Sequence, residues 1–422
     1  MKKMKILTLL LCATLAFAYM GCSNSSGGSG ADTGSGAGSG STPITYTITI
    51  ANGITNGTVT ANPASASEGS TVTLSITSER GYKLNSISAT TGETAVTLSG
   101  TGNTRTFTMP AGNVSVNAGF ISVFTALAAG TNGTAGTSWT YVEFGRWPQS
   151  EKTDNTINVD ESVSKTVGSF TYYKGSDGEW YAKLSPKYYK VEPIKWRVLT
   201  ADYNGTGKKL LLAENILIHC MYYDNLHERT IGTATIYPNN YEHSRIRAFL
   251  NGLSYQKKES NSASQETDES LVNKGFFQTA FTQEEQNAIA TTTVINKARS
   301  TNPDSNATEW KSGTNLYASD TSTEDKIFLL SEQEVTKTDY GFAAFDASGI
   351  GNTRIRMITA FAQAKGACQN LTADYGGYWR LRSPYYRNGL NAQYVDHYGD
   401  ADNNGSGVDR ADFGVVPALC IN

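Results

Sequence analysis

The chain is poor in charge, in cysteine and in long apolar runs. Of its 422 residues 17% are Asp, Glu, Lys or Arg, and none of the lysines and arginines gather into a basic run. The formal charge is −3, and it falls to about −6 once Lys2, Lys3 and Lys5 are set aside with an N-terminal segment destined for cleavage. A mildly acidic chain without a basic stripe lacks the electrostatic footprint of a nucleic-acid partner. The four histidines, His219, His227, His243 and His397, and the five cysteines show no zinc spacing, so no metal site and no cofactor is expected. H-E-x-x-H, G-x-S-x-G and the phosphate-binding loop are all missing, which removes the common hydrolases and nucleotide enzymes. Past the N-terminal segment no apolar stretch approaches the about 20 residues of a bilayer span, which argues against a polytopic membrane protein. What is plentiful is glycine, 41 residues, and tyrosine, which outnumbers phenylalanine 23 to 15. That is the composition of a Gly/Ser/Thr-rich extracellular protein with a modest core.

The first residues read as an address. Lys2, Lys3 and Lys5 precede an apolar stretch at 6–18, short for a membrane span but right for a secretory signal. It runs into Tyr19-Met20-Gly21-Cys22. A small residue directly before a cysteine at this point resembles the bacterial lipoprotein signal. The resemblance implies a signal peptide at 1–21, acylation of Cys22, and a lipid anchor at the cell surface, in the outer membrane. Tyr19 and Met20 depart from the usual pattern, and an ordinary secreted protein with an incidental cysteine is the alternative. Residues 22–43 form a tether: 14 of the 21 residues at 23–43 are Gly or Ser, too few apolar groups to offset the entropy of ordering. Its reach is about 25 Å.

Residues 44–120 alternate at period two in short bursts, at Tyr46/Ile48/Ile50, Val72/Leu74/Ile76 and Val114/Val116. Turn pairs such as Asn52-Gly53, Asn56-Gly57 and Arg80-Gly81 separate the bursts, which predicts an all-β module of five or six strands. The run Gly57-Thr58-Val59, Gly69 to Leu74, Gly81-Tyr82, Phe107-Thr108-Met109-Pro110 and Val114 to Phe120 resembles the bacterial B-repeat of internalins. The resemblance implies a β-grasp-like spacer on a surface protein.

Residues 121–422 carry all six tryptophans and most of the long apolar runs. Residues 193–199 and 209–213 read as a strand pair around Asn204-Gly205. Residues 244–253 read as a helix capped by Ser244, with Ile246, Phe249, Leu250 and Leu253 on one face. Residues 256–268 are polar enough to loop out. Capping boxes at Thr282-Gln283-Glu284-Glu285 and Ser331-Glu332-Gln333-Glu334 open two further helices, and Ile355, Ile358, Phe361 and Ala362 outline another. Helices among unevenly spaced strands, without a βαβ rhythm, predict an α+β domain. Glu242-His243 could serve as an acid/base pair, but its place at a helix start favours a capping role.

The terminal segment carries the function. Tyr378-Trp379-Arg380-Leu381-Arg382-Ser383-Pro384, then Ala392-Gln393-Tyr394-Val395, Gly399 and 414–419 resemble a large bacterial family of undefined function, whose domains end in W-L-R-S-P, A-x-Y-V and G-V-R-P-A-L runs. Residues 144–149, 194–199, 244–251 and 328–331 agree, so the likeness spans about 141–422, with Val416 where the family has Arg. This domain also resembles the C-type-lectin fold of the Treponema variable protein, a surface lipoprotein diversified by a retroelement. The resemblance implies a fixed scaffold under a terminal stretch in which adenine-bearing Asn codons are randomised. Such codons cannot yield Lys, Glu, Met or Trp, which number 53 in the chain, and none stands at 383–422. Residues Tyr385, Tyr386, Asn388, Asp396, His397, Tyr398, Asp402, Asn403, Asn404, Asp409, Arg410, Asp412 and Phe413 are therefore the expected ligand contacts. Trp379, Leu381, Val395, Val415 and Leu419 are expected to hold the scaffold, and Gln393, unreachable from those codons, belongs with them. Tyrosine and phenylalanine give contact area at low entropy cost, and Asn, Asp and Ser give adaptable hydrogen bonds. Alanine at Tyr398 and Phe413 is expected to abolish capture without lowering the melting temperature.

The reading is thus a lipid-anchored surface protein that binds an extracellular protein or glycan without turnover. Three others stand beside it. A fixed calcium-dependent lectin would use Asp400, Asp402 and Asn404, where Asp400 to Gly405 match the opening of a calcium loop, although its twelfth position is Ala411 rather than Glu. An enzyme would resemble formylglycine-generating enzymes, whose paired cysteines Cys368 and Cys420 do not match. A passive surface component would need no ligand. Cys220, Cys368 and Cys420 leave the disulfide pairing open.

Overall fold

The computed structural model describes residues 43–131, 138–219, 226–297, 311–312, 315–316, 322–344, 352–368, 376–385 and 388–422. The signal segment, Cys22, nearly all of the tether, Cys220 and Tyr386 lie outside the described residues, as do the side chains of Asp402, Asn403 and Asn404.

Alternation at period two makes the N-terminal module. Val72, Leu74 and Ile76 on strand Thr71–Ser78 are buried, and Val114 and Val116 on Val114–Ser122 face the same core. The module has eight strands rather than five or six, in a sheet of five and a sheet of three. Its first strand, Thr45–Ile50, lies parallel to its last, with Ile48 opposite Val114. The module and the larger domain belong to one compact unit, Thr45–Asn422. Arg80 of the module reaches into the domain, where its Nε donates to the Asn287 carbonyl at 2.9 Å.

The larger domain is built on a ten-stranded sheet. Strand Lys187–Thr200 pairs with Ser138–Glu151 on one side and Lys209–Ala213 on the other, and the turn that joins it to Lys209–Ala213 has positive φ at Asn204 and Gly205. Strand Ala418–Ile421 is fully enclosed. Lys209–Ala213 flanks it on one edge, and Ile289–Ala290 with Ile327–Phe328 on the other. The indoles of Trp147, Trp196 and Trp379 are buried beneath this sheet and its neighbour, and each N–H donates to a carbonyl, of Leu217, Phe144 and Arg354.

The α+β expectation is overturned. Strands make up 49% of the structure and helix 10%, and the described α-helices run from four to seven residues. The capping boxes are real, but a box fixes where a helix begins and says nothing of where it stops. Thr282 caps Gln283–Ala288, and the chain leaves at once into strand Ile289–Ala290. Ser331 caps a helix of four residues, Glu332–Val335. Ile355 and Ile358 precede their helix: Ile358 bridges Ile216, and the turn Ala360–Ala364 begins only after its cap at Thr359. The polar insertion at 256–268 does not loop out freely, because Tyr255–Lys257 and Glu266–Asp268 close it as a hairpin.

One buried ion pair ties the terminal motif to the sheet. Arg382, on strand Trp379–Pro384, is enclosed and donates through Nη2 to Glu334 Oε1 at 2.9 Å, with a second, shorter bond from Nη1 to Oε2. Its remaining donors go to the carbonyls of Leu329 at 2.7 Å and Ile295 at 3.0 Å. The Tyr203 hydroxyl donates to Glu334 Oε1 at 2.6 Å, and the Ser331 N–H to Oε2 at 2.8 Å. Burial alone would raise the Glu334 carboxyl, but the Arg382 charge and these hydrogen bonds hold it below the ordinary carboxylate range. Breaking such a pair from one side strands a buried charge. Urea unfolding of Arg382→Ala is expected to show a loss of about 3–5 kcal/mol. Because the folded pKa is depressed, the contribution of Glu334 is complete above its unfolded value of about 4.3 and is lost as pH falls through the lower folded value. Stability measured from pH 7 down should therefore fall more gently in Glu334→Gln than in the parent.

Candidate functional site

Strand Trp379–Pro384 pairs antiparallel with Asn391–Val395, which pairs antiparallel with Ala401–Gly407, and together they form a second sheet, which strands Gly414–Val415 and Ile218–His219 complete. Trp379, Leu381, Val395 and Val415 are fully buried, and Leu419 lies equally deep in the ten-stranded sheet, as the framework reading requires. Gln393 is buried too, its amide 3.3 Å from Glu332. The W-x-L-R-S-P run is therefore construction: Arg382 holds Glu334, and Ser383 Oγ accepts the Glu332 N–H at 2.9 Å. Arg380 donates to the carbonyls of Ala392, Ser406 and Gly407, so one guanidinium staples all three strands.

Above this frame sits a cluster of rings. Phe413 is buried at 4% exposure, with the Arg380 guanidinium 3.8 Å from its ring centre. Tyr394 and Tyr378 meet it edge-on at 5.0 and 5.8 Å, His397 lies 5.0 Å from Tyr378, and Tyr398 lies 3.9 Å from His397. Tyr378, Tyr394 and His397 are half-buried, while Tyr398 is exposed. Burial and the Asp396 carboxylate raise the Tyr378 phenol above its ordinary range, so it stays a neutral hydrogen-bonding group at physiological pH. On the rim Arg410 Nε donates to Asp412 Oδ1 at 2.9 Å, a bond that holds the Asp412 carboxyl below its usual range. The result is an amphipathic aromatic face with a charged edge, suited to non-covalent recognition.

The expected contact residues divide between this face and its supports. His397, Tyr398, Arg410 and Asp412 belong to the face or its rim, and Asp409 is exposed beside them. Asn388 and Asp396 hold turns instead. Asn388 Oδ1 accepts the N–H groups of Leu390 and Asn391, and Asp396 Oδ1 accepts those of Tyr398 and Asp400, both at 2.8 Å. Gly399 completes the second turn at φ +78°, so close to Asn352 that a Cβ would lie 2.7 Å from its side chain. Tyr385 and Phe413 are buried, which corrects the expectation that they meet ligand. Tyr386 and the side chains of Asp402, Asn403 and Asn404 lie outside the described residues. Tyr378 and Tyr394 were taken up in the framework motif and are in fact part of the face. A register shift between Ala392 and Tyr394 re-aims Tyr394 outward, and period-two counting cannot see such a bulge.

The chemistry weighed elsewhere takes structural roles. Ser244 caps helix Arg245–Asn251, its Oγ accepting the Arg247 N–H at 3.2 Å, and burial lowers the His243 imidazole. Cys368 is exposed and Cys420 buried, both as free thiols, and burial pushes Cys420 up to about 12. Among the described residues no three His, Cys, Asp or Glu side chains gather as metal ligands.

Phe413 and Tyr398, equivalent by composition, are expected to separate in experiment. Phe413→Ala should cost about 3 kcal/mol or more in urea unfolding, as removal of a buried ring does, while Tyr398→Ala should stay within about 0.5 kcal/mol of the parent.

Comparison with known proteins adds family membership. The model for the divergent InlB B-repeat domain matches residues 46–124, so the N-terminal module is a B-repeat. No curated protein and no solved structure matches the chain. A domain of unknown function, DUF6273, matches residues 206–422, just over half of the chain. That match begins later than residue 141, although strands Ser138–Glu151 and Lys187–Thr200 share its sheet. By its enclosed terminal strand, its buried Trp379 to Ser383 run and this match together, the chain belongs to the DUF6273 family.

Proposed function

We propose that the protein is a surface lipoprotein whose C-terminal domain captures an extracellular protein or glycan on the face formed by Tyr378, Tyr394, His397 and Tyr398. The observation that carries this reading is the partial exposure of four linked rings, two of them edge-on to a buried fifth, with Arg410 and Asp412 at the edge. Rings presented this way give contact area at little entropic cost, and the neighbouring turns are anchored from below rather than free to collapse onto them. Recognition here involves no turnover. The resemblance to retroelement-diversified, C-type-lectin-like proteins extends the reading: the frame stays constant while positions around the rings change from cell to cell. Cys22 anchors the chain in the outer membrane, and the tether with the B-repeat holds the face away from the lipid.

Sequencing the gene across a clonally grown population tests the diversification. Substitutions are expected at adenine-bearing codons within 378–417, sparing the codons of Trp379, Leu381 and Arg382. A segment as invariant as the core sinks it. For the anchor, Cys22→Ser is expected to move the protein from the membrane fraction to the medium or periplasm, and retention in the membrane overturns lipidation. Capture tested on an array of host-surface proteins and glycans should be lost in Tyr398→Ala and unaffected by EDTA. Loss in EDTA would favour the calcium-dependent lectin.

A further inference from the structure

A second site lies on the ten-stranded sheet, apart from the sheet that carries the aromatic face. Strands Val159–Val167, Phe170–Gly175 and Trp180–Leu184 present Lys165, Tyr172, Lys174, Trp180 and Ala182 on one side, because Lys165 stands opposite Tyr172, Tyr172 opposite Ala182, and Lys174 opposite Trp180. Lys165, Tyr172 and Trp180 of this side line an open cleft of about 560 Å³, together with Lys83 of the B-repeat and Phe281. A volume of that order is usual for small-ligand sites, about 300–1,000 Å³.

Three features of the cleft call for a ligand. Tyr172 is 97% buried and lines it, yet its hydroxyl has no hydrogen-bond partner, which is costly for a buried polar group unless something in the cleft supplies one. Lys165 and Lys174 place their ammonium groups 4.3 and 4.7 Å from the Trp180 ring centre, and no carboxylate figures in the surroundings of Lys165. Burial, Lys174 and Arg146 together lower the Lys165 ammonium, as like charges around a cation do. None of the carboxylates that line the cleft acts on Lys165. Glu285 is committed to the N–H groups of Gly145 and Thr282 at 2.8 Å each, and Glu179 is shared between Arg146 at 3.9 Å and Lys190 at 3.8 Å. Glu143 is the remaining one.

We infer that this cleft binds a carboxylated saccharide, a ring face against Trp180, a carboxylate on Lys165 and Arg146, and a hydroxyl or ring oxygen on the Tyr172 phenol. Trp180 stands beside the Lys165 ammonium, and an acidic sugar unit places apolar C–H groups beside a carboxylate in the same way. The cleft is open to solvent, whereas a fatty acid would need an enclosed apolar tunnel. Arg146 suits a planar carboxylate, which its guanidinium can meet through two parallel bonds.

Calorimetric titration of the full mature chain with digalacturonate tests this, with cellobiose as a neutral sugar and inorganic phosphate as an anion without a ring. Saturable binding of digalacturonate is expected, at least tenfold tighter than either comparison compound. Lys165→Gln should weaken it tenfold or more, and Tyr172→Phe severalfold, at unchanged melting temperature. The indole N–H resonance that disappears in Trp180→Phe should be the one shifted by the sugar. Tyr398→Ala should leave the titration unaltered, which separates this site from the C-terminal face. Failure of digalacturonate to bind, equal binding of cellobiose or phosphate, or indifference to Lys165→Gln overturns the assignment.

Discussion

The pairing of Arg382 with Glu334 organises the C-terminal domain. One carboxylate closes the capping box of a short helix, receives the Tyr203 hydroxyl from the far side of the sheet, and neutralises an arginine from the strand that supports the aromatic face. Three elements distant in sequence are fixed by the requirement that a buried charge be fully satisfied. The neighbouring arginines follow the same logic with carbonyls in place of a carboxylate. Arg380 joins three strands, and Arg354 reaches the Gly399 carbonyl at 2.6 Å to hold the turn that carries His397 and Tyr398. A protein with few charges has thus placed several of them inside, where they set geometry rather than solubility.

Much of the frame could be read in advance because its signals are local. Alternation at Val72, Leu74 and Ile76, the Asn204-Gly205 turn and both capping boxes each need only a handful of adjacent residues, and each holds. Helix length was not legible, since what ends Gln283–Ala288 is the pairing of Ile289 with Ile421, more than a hundred residues away. The same limit applies to the candidate site. Phe413 and Tyr398 look alike in a composition argument, and the guanidinium of Arg380 with the rings of Tyr378 and Tyr394 covers the former. Asn388 and Asp396 have the chemistry of contact residues and spend it on turns. Tyr394 was hidden by a bulge.

The two faces described here differ in the way they are supported. The C-terminal rings rest on a rigid bed of buried arginines and anchored turns, so changes at exposed positions leave the bed intact, as loops on a scaffold allow. The cleft over Tyr172 and Trp180 is instead walled partly by the B-repeat, through Lys83, with Arg80 nearby bonded across to Asn287. A module that would otherwise read as a spacer takes part in shaping a recess.

The enclosed strand Ala418–Ile421 has a bearing on the export that the proposed function requires. It inserts between Lys209–Ala213 and two strands that come later in the chain, so the ten-stranded sheet cannot close until more than two hundred residues beyond Lys209 have been made. Long-range pairing of this kind is slow to form, because loop closure precedes any gain from the contact. A chain that delays its own folding remains threadable through a translocation channel, and the same strand then locks the finished domain once the last segment arrives.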